Sequence, residues 1–246
     1  MPAGRPADRS LRAEADRSGR RPLPSALMGI LVAIEGLDGA GKNTLTRAVT
    51  AQLDRDGLSV ASMAFPRYGT QYADLAAMAL HGGLGDLVDS VYGMALLFAF
   101  DRQAAAPEIE TMLTENDVVL LDRYAASSAA YSAARLNQVA GGEVTVWVAR
   151  QEFEVFGIPR PDLQVYLRVP TAVAAERAAG REASDTTRTR DAYERDGGLQ
   201  ARTGAVYEGL AESVWGSPWR LHELDDEPAD LAAAIRGLVA AQSAAA

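Results

Sequence analysis

The chain has 246 residues, a formal net charge of −9, 48% hydrophobic residues and no cysteine, a length that suits one α/β domain with or without a mobile lid. The absence of cysteine excludes disulfides and thiolate metal sites and is compatible with a cytoplasmic protein. No apolar run reaches the roughly 18–20 residues that span a bilayer, and His81 and His222 have no partner at metal-ligand spacing.

The first 28 residues hold six arginines against Asp8, Glu14 and Asp16, a balance of +3 that leaves the body near −12. Rich in Pro, Arg, Ser and Gly and without apolar periodicity, they read as a disordered basic arm. They lack the apolar core of a secretory signal, and their acids argue against a transit peptide. A solvated tail is the main reading, contact with nucleic acid a lesser one, and Met28 as the true first residue another alternative.

Ile30–Ile34 is a continuous apolar run followed by Glu35 and Gly36, as expected of a strand buried on both faces. It leads into Gly36-Leu-Asp-Gly-Ala-Gly-Lys-Asn-Thr44, and helical spacing follows to about Asp54. Of the 24 basic residues in the chain, Lys42 is the single lysine. An ammonium is a compact point charge where a guanidinium is a flat fork. A Gly-x-x-x-x-Gly-Lys loop requires that shape, because its amides cradle phosphates while the lysine reaches the outer oxygens. Strand, loop and helix in this order define a phosphate loop, with Gly36, Gly39, Ala40, Gly41, Lys42, Asn43 and Thr44 on a nucleoside triphosphate. Thr44 is assigned to the phosphate–Mg²⁺ region and Asn43 contributes only its amide. Asp38 inside the loop would repel phosphates unless a cation intervenes, which places it near Mg²⁺ or a sugar hydroxyl, or else makes it a turn residue.

Ser59–Phe65 reads as a second strand stopped by Pro66, with Arg67 and Tyr68 next; arginine suits a phosphate monoester through bidentate bonding. Helices are expected at Tyr72–Leu80 and Ser90–Leu113. On the second, Phe98 and Arg102 are four apart and share a face, suited either to stacking and bonding a base or to a core ring beside a surface cation. Asp117–Leu121 is a third strand, followed by Asp122-Arg123-Tyr124 at the carboxyl end, where open α/β sheets place their ligands. Asp122 could hold Mg²⁺, and Arg123 could neutralise a transferring phosphoryl group. A helical pair is expected at Ser127–Ala140 and Val144–Phe156, then a strand at Asp162–Val169. Arg177, Arg181, Arg188 and Arg190 crowd a polar stretch, Gly180–Thr187, that reads as a loop between helices. Such a flap at about 177–190 could close over phosphates and exclude water, or be a solvated charge run. Asp191, Tyr193 and Glu194 open a long helix, Asp191–Val214, before a fifth strand at Arg220–Leu224 and a last helix at Pro228–Ala241. Strands alternating with helices imply a parallel sheet covered on both sides.

Gly36–Leu45, Phe65-Pro-Arg-Tyr68, Asp101-Arg102, Leu121-Asp-Arg-Tyr124, Ser127–Tyr131 and Arg190-Asp-Ala-Tyr-Glu194, in this order, resemble bacterial thymidylate kinases, and most the actinobacterial form. The resemblance covers about residues 29–226. It implies a P-loop NTPase-type α/β fold like the nucleoside monophosphate kinases, a five-stranded parallel sheet flanked by helices with a mobile lid. It also implies Mg²⁺-dependent transfer of the ATP γ-phosphoryl group to dTMP, and a homodimer formed by helices on one side of the sheet. Carried over by motif, Lys42 and Thr44 lie on the ATP phosphates, with Arg177 beside them. Asp38 is near the acceptor and Mg²⁺, and Arg67 and Arg123 hold the acceptor phosphate. Phe98 stacks on thymine, Arg102 bonds its carbonyl, and Tyr131 sits near the deoxyribose 2′ carbon. Tyr68, Ser127, Asp191, Tyr193 and Glu194 complete the acceptor and metal region. Because the loop lacks an arginine, Arg181 and Arg188 would supply transition-state charge with Arg177. Ser128 stands where relatives carry an asparagine that bonds the base. A deoxynucleoside kinase and a non-catalytic nucleotide-binding module are the competing readings; a GTPase lacks its Asn-Lys-x-Asp guanine reader.

Overall fold

A computed structural model describes residues 28–184, 193 and 198–245, without the side chains of 179 and 181–184. Five strands, β1 (Ile30–Glu35), β2 (Val60–Ala64), β3 (Val118–Asp122), β4 (Leu163–Arg168) and β5 (Trp219–Glu223), form one sheet in the order β2-β3-β1-β4-β5. Every pair is parallel, as the alternation of strands and helices predicts. The helices are α1 (Lys42–Arg55), α2 (Gln71–Leu80), α3 (Val91–Glu115), α4 (Ala125–Arg135), α5 (Glu143–Ala149), α6 (Thr171–Ser184), α7 (Leu199–Glu212) and α8 (Pro228–Ala245).

All six residues of β1 are buried, and its side chains alternate between two cores. Ile30, Val32 and Ile34 pack with α1, α4, α7 and α8, while Leu31 and Ala33 face Ala105, Ile109 and Leu113 of α3. Each fully buried aliphatic side chain contributes about 1.5–3 kcal/mol, so the central strand is firmly held. The register sets Ile34 beside Asp122, and the loops after β1 and β3 therefore emerge side by side. The chain leaves β1 toward one edge of the sheet and β3 toward the other, which makes the crevice between them the topological switch point.

Five expectations need correction. The long helix expected over Asp191–Val214 does not run through Gly198, where the chain turns, and its described part is α7, from Leu199 to Glu212. Met28 packs against the second core rather than belonging to an arm; residues 1–27 lie outside the described residues. Helix α4 ends at Arg135, well short of Ala140, because Asn137 turns the chain into the left-handed region at φ 52°. The expected loop at Gly180–Thr187 begins as helix, since α6 runs on to Ser184. Its Ala, Arg and Glu residues favour helix by propensity without needing an apolar face. Finally, α5 continues from Arg150 to Val155 as a π-helical turn.

Candidate active site

The phosphate loop is built around glycine backbones. Gly39 (φ +85°) lies so close to α6 that a Cβ there would come within 2.0 Å of the Ala174 carbonyl oxygen, and Gly41 adopts φ +102° as the residue before α1. No side chain caps α1, and its first bond runs from Leu45 N to Gly41 O. The amides of Lys42, Asn43 and Thr44 precede that bond, and such a terminus attracts anions. Asn43 and Thr44 are exposed there. Arg177 of α6 donates to Ala40 O at 3.4 Å, which brings the start of the expected flap onto the loop.

Lys42 is buried and donates to Leu37 O at 2.9 Å and Gly36 O at 3.2 Å. Burial, followed by the Arg123 charge, lowers its pKa from 10.5 to about 7, against the pull of Asp38, Asp122 and Glu35. An anion placed beside this amine would favour its charged form again.

Arg123 has φ 67°, a left-handed backbone that costs about 1–3 kcal/mol and is tolerated where surroundings enforce it. Its N–H donates to Ile34 O at 2.9 Å. Its guanidinium donates to Gly36 O at 3.0 Å, Ser127 Oγ at 3.2 Å and the Asp38 carboxylate, and lies over the Tyr131 ring. The other Asp38 oxygen accepts from Tyr131 OH at 2.7 Å and Gln200 Nε2 at 3.1 Å. Burial alone would raise the Asp38 pKa, but the Arg123 and Lys42 charges with these two bonds hold it well below the usual range. Asp38 is therefore a firmly ionised carboxylate.

Beneath this group lies Glu35, wholly buried, accepting from Tyr124 N at 2.8 Å, Ser127 Oγ at 2.6 Å and Tyr207 OH at 3.0 Å. Desolvation raises its pKa despite those bonds. It ties the end of β1 to the loop after β3 and to α7.

A cleft with about 820 Å³ of empty space opens from Asp38 and Arg123 and is lined by Phe65, Tyr68, Phe98, Asp101, Arg102, Ser127, Ser128, Tyr131 and Tyr193, among others. Its lining, apolar and aromatic side chains with a few convergent polar groups, is that of a small-molecule site. Phe98 is half-buried at its wall, and Arg102 is buried rather than a surface cation. Tyr131 stacks on Tyr193 with centroids 6.0 Å apart, and Arg135 donates to Tyr193 OH at 2.8 Å. Arg67 does not line the cleft. It bonds Asp101 through Nε (2.9 Å), its main-chain N–H (2.9 Å) and Nη2 to the carbonyl (3.0 Å), and reaches Glu108 through Nη1.

For Mg²⁺, two of the four expected ligands are described: Asp38 and Asp122 both act on Lys42 electrostatically. Among the described residues no three acids or histidines converge as a metal cage. Mg²⁺ needs none, since it keeps several waters and takes one or two carboxylates plus substrate phosphates, so the oxygen donors here fit it. The side chain of Arg181 and the whole of Arg188, Asp191 and Glu194 lie outside the described residues. The sequence reading gave no role to Glu35, Glu152, Gln200 or Tyr207. Of these only Glu35, an acid ending an apolar strand, carried a visible signal.

A phosphate loop facing a second cleft across an arginine–aspartate pair defines a phosphotransferase class that joins a triphosphate to a second small substrate. Comparison with known proteins specifies it. The thymidylate kinase family model matches residues 34–196. Thymidylate kinase of Mycobacterium tuberculosis is 52% identical over 207 residues, covering 84% of this chain and 97% of that protein. The Xanthomonas campestris enzyme is 36% identical over 171 residues, 68% of each chain, and the human one 30% over 155 residues, 63% of this chain and 68% of that protein. Thymidylate kinase from Candida albicans shares the fold with a TM-score of 0.61 at 21% identity, covering 87% of this chain and 92% of its own. The chain belongs to the thymidylate kinase family.

Proposed function

We propose that the chain performs its family's reaction, transfer of the ATP γ-phosphoryl group to dTMP to give dTDP and ADP, with dTMP in the cleft and ATP on the phosphate loop. The observation that carries the assignment of residues is the convergence of Lys42, Asp38, Arg123 and Tyr131 where the two spaces meet. Lys42 and the amides at the start of α1 hold the β- and γ-phosphates. Arg123, fixed by Asp38 and Gly36, neutralises the acceptor phosphate and lines it up with the γ-phosphorus. Phe98 offers its ring to the base and Arg102 donates to a base carbonyl. Tyr131, pinned to Asp38, fills the space beside the sugar, with Tyr193 behind it. Tyr68, Ser127 and Ser128 complete the acceptor wall. Arg67 acts at the rim, held by Asp101. Arg177 steadies the loop, and Arg181 and Arg188 are the cations we assign to the closing lid.

Asp38 and Asp122, with Asp191 and Glu194, are the residues that would hold Mg²⁺. Bound there, the ion would supply positive charge against the phosphates. Helix α3 supports a homodimer, because from Val91 to Phe100 it carries no polar side chain but Tyr92, leaves Leu96, Leu97 and Phe100 only partly buried, and exposes Ala104 and Pro107 further along. Nucleotide substrates place the work in the cytoplasm; no described helix is long and apolar enough to cross a membrane. The test is ADP production by a coupled assay with dTMP, dUMP, dCMP, dGMP and thymidine, with and without Mg²⁺. We expect turnover with dTMP and Mg²⁺ and little with thymidine. Folded protein without dTMP-dependent turnover rejects the reading.

A further inference from the structure

Arg102 on α3 is 3% exposed and meets a partner that is 1% exposed, Glu152, fifty residues away in the π-helical turn Arg150–Val155. Nε donates to Glu152 Oε2 at 2.7 Å, and Nη2 donates to Glu152 Oε1 and to Ser128 Oγ at 2.6 Å. Three of the five guanidinium N–H groups are thereby committed in one plane. The two on Nη1 bond nothing among the described residues, and Arg102 lines the cleft. A buried ion pair is weak evidence for stability, because desolvation offsets its attraction. Its geometric effect is firm: a bidentate carboxylate fixes the plane and direction of a guanidinium. Glu152 lies in a π-helical turn, an irregularity that recurs at functional sites.

We infer that Glu152 is a positioning residue that sets base selectivity, by locking Arg102 so that Nη1 meets the base edge as an obligatory donor. The inference rests on the placement of the base beside Arg102. A guanidinium has no acceptor, so the locked Nη1 pairs with a ring carbonyl and leaves an exocyclic amino group facing another donor. A free arginine would swing aside and tolerate the amino group; one clamped by Glu152 and Ser128 cannot. The substrate class this selects is a 4-keto pyrimidine monophosphate over its 4-amino counterpart.

Glu152→Gln, which keeps the shape and converts one acceptor into a donor, and Arg102→Gln test this together with the double variant. The readouts are KM and kcat for dTMP, and competition by dCMP against dTMP. Glu152→Gln is expected to raise dTMP KM at least tenfold with kcat within about threefold, and to narrow the dTMP-to-dCMP preference at least tenfold; a purely structural acid would lower Tm without moving that ratio. Arg102→Gln is expected to raise dTMP KM comparably, with no further rise on adding Glu152→Gln. If Arg102→Gln leaves dTMP KM unchanged, the base placement is wrong and this inference falls with it. If Arg102→Gln raises KM while folded Glu152→Gln keeps both KM and preference, the positioning role alone is overturned. Should Glu152→Gln alone not fold, the double variant, which neutralises both buried charges, is compared with Arg102→Gln: equal KM supports the role and a further rise overturns it.

Discussion

Replacing Lys42 with methionine should move stability and activity in opposite directions. In the folded protein the ammonium is buried and its pKa falls from 10.5 to about 7. At roughly 1.36 kcal/mol per pH unit, charging it at pH 7 costs about 4–5 kcal/mol of folding stability. Its bonds to Leu37 O and Gly36 O return about 1–3 kcal/mol in total. Lys42→Met should therefore be more stable than the parent at pH 7 by about 2 kcal/mol, a rise of roughly 4–8 °C in Tm for a domain of this size. The sign of the pH dependence follows from the lowered pKa. The penalty is complete below pH 7 and is relieved as pH rises toward 10.5, since the unfolded chain then holds the extra proton. Nucleotide-free melts of both proteins at pH 7 and 9 should converge by about 2 kcal/mol, while kcat of the variant falls about 10²–10³-fold for loss of one preorganised charge donor. A variant less stable than the parent at pH 7, or a difference flat from pH 7 to 9, would refute the reasoning.

Lys42→Arg keeps the charge but brings a forked head into a pocket sized for an ammonium, and kcat should fall at least tenfold; parental turnover would show that shape is unimportant there. In the parent, kcat/KM for ATP should decline above about pH 7 as free Lys42 loses its proton, whereas kcat stays flat because bound phosphates retain that proton; a profile without this break opposes the assignment. Gly39→Ala drives a methyl onto the Ala174 carbonyl and adds about 1–2 kcal/mol of left-handed backbone cost. Helix α6 must then move off the loop, raising ATP KM at least tenfold, and an unchanged ATP KM would mean that this contact plays no part in binding. Arg67→Ala should raise dTMP KM at least tenfold and leave weak competition by thymidine unaltered; equal effects on both would separate Arg67 from the phosphate.

The features legible in the sequence share one property: their residues are contiguous. The phosphate loop announces itself within nine positions, and Asp122-Arg123-Tyr124 needs only an apolar strand before it. Strand alternation then places both at one end of the sheet, and the register of Ile34 with Asp122 joins them. What was hidden depends on contacts between distant elements. Glu152 meets Arg102 from a π-helical turn fifty residues on, and no residue pattern in Arg150–Val155 advertises that geometry. Tyr207 reads as one more ring on an amphipathic helix, although its hydroxyl reaches Glu35. Gln200 reaches Asp38 from the first turn of α7, a position the sequence reading sets inside a longer helix, Asp191–Val214, as one more polar residue. Arg67 shows both sides: its motif was visible, but its bond to Asp101, on a helix distant in the chain, was not.

The division between one lysine and many arginines then acquires a physical sense within the site. Arg67, Arg102 and Arg123 each hold a carboxylate, on Asp101, Glu152 and Asp38. A planar fork on a carboxylate is directional and hard to displace, which suits groups that must keep their aim whether or not substrate is bound. Lys42 instead donates to two neutral carbonyls. A phosphate oxygen is a stronger acceptor for an ammonium than either carbonyl, so exchange toward the incoming triphosphate is downhill without breaking an ion pair. On the proposed reading, Arg102 and Arg123 are the fixed cations of the acceptor cleft, and Lys42 is the exchangeable one that meets the donor.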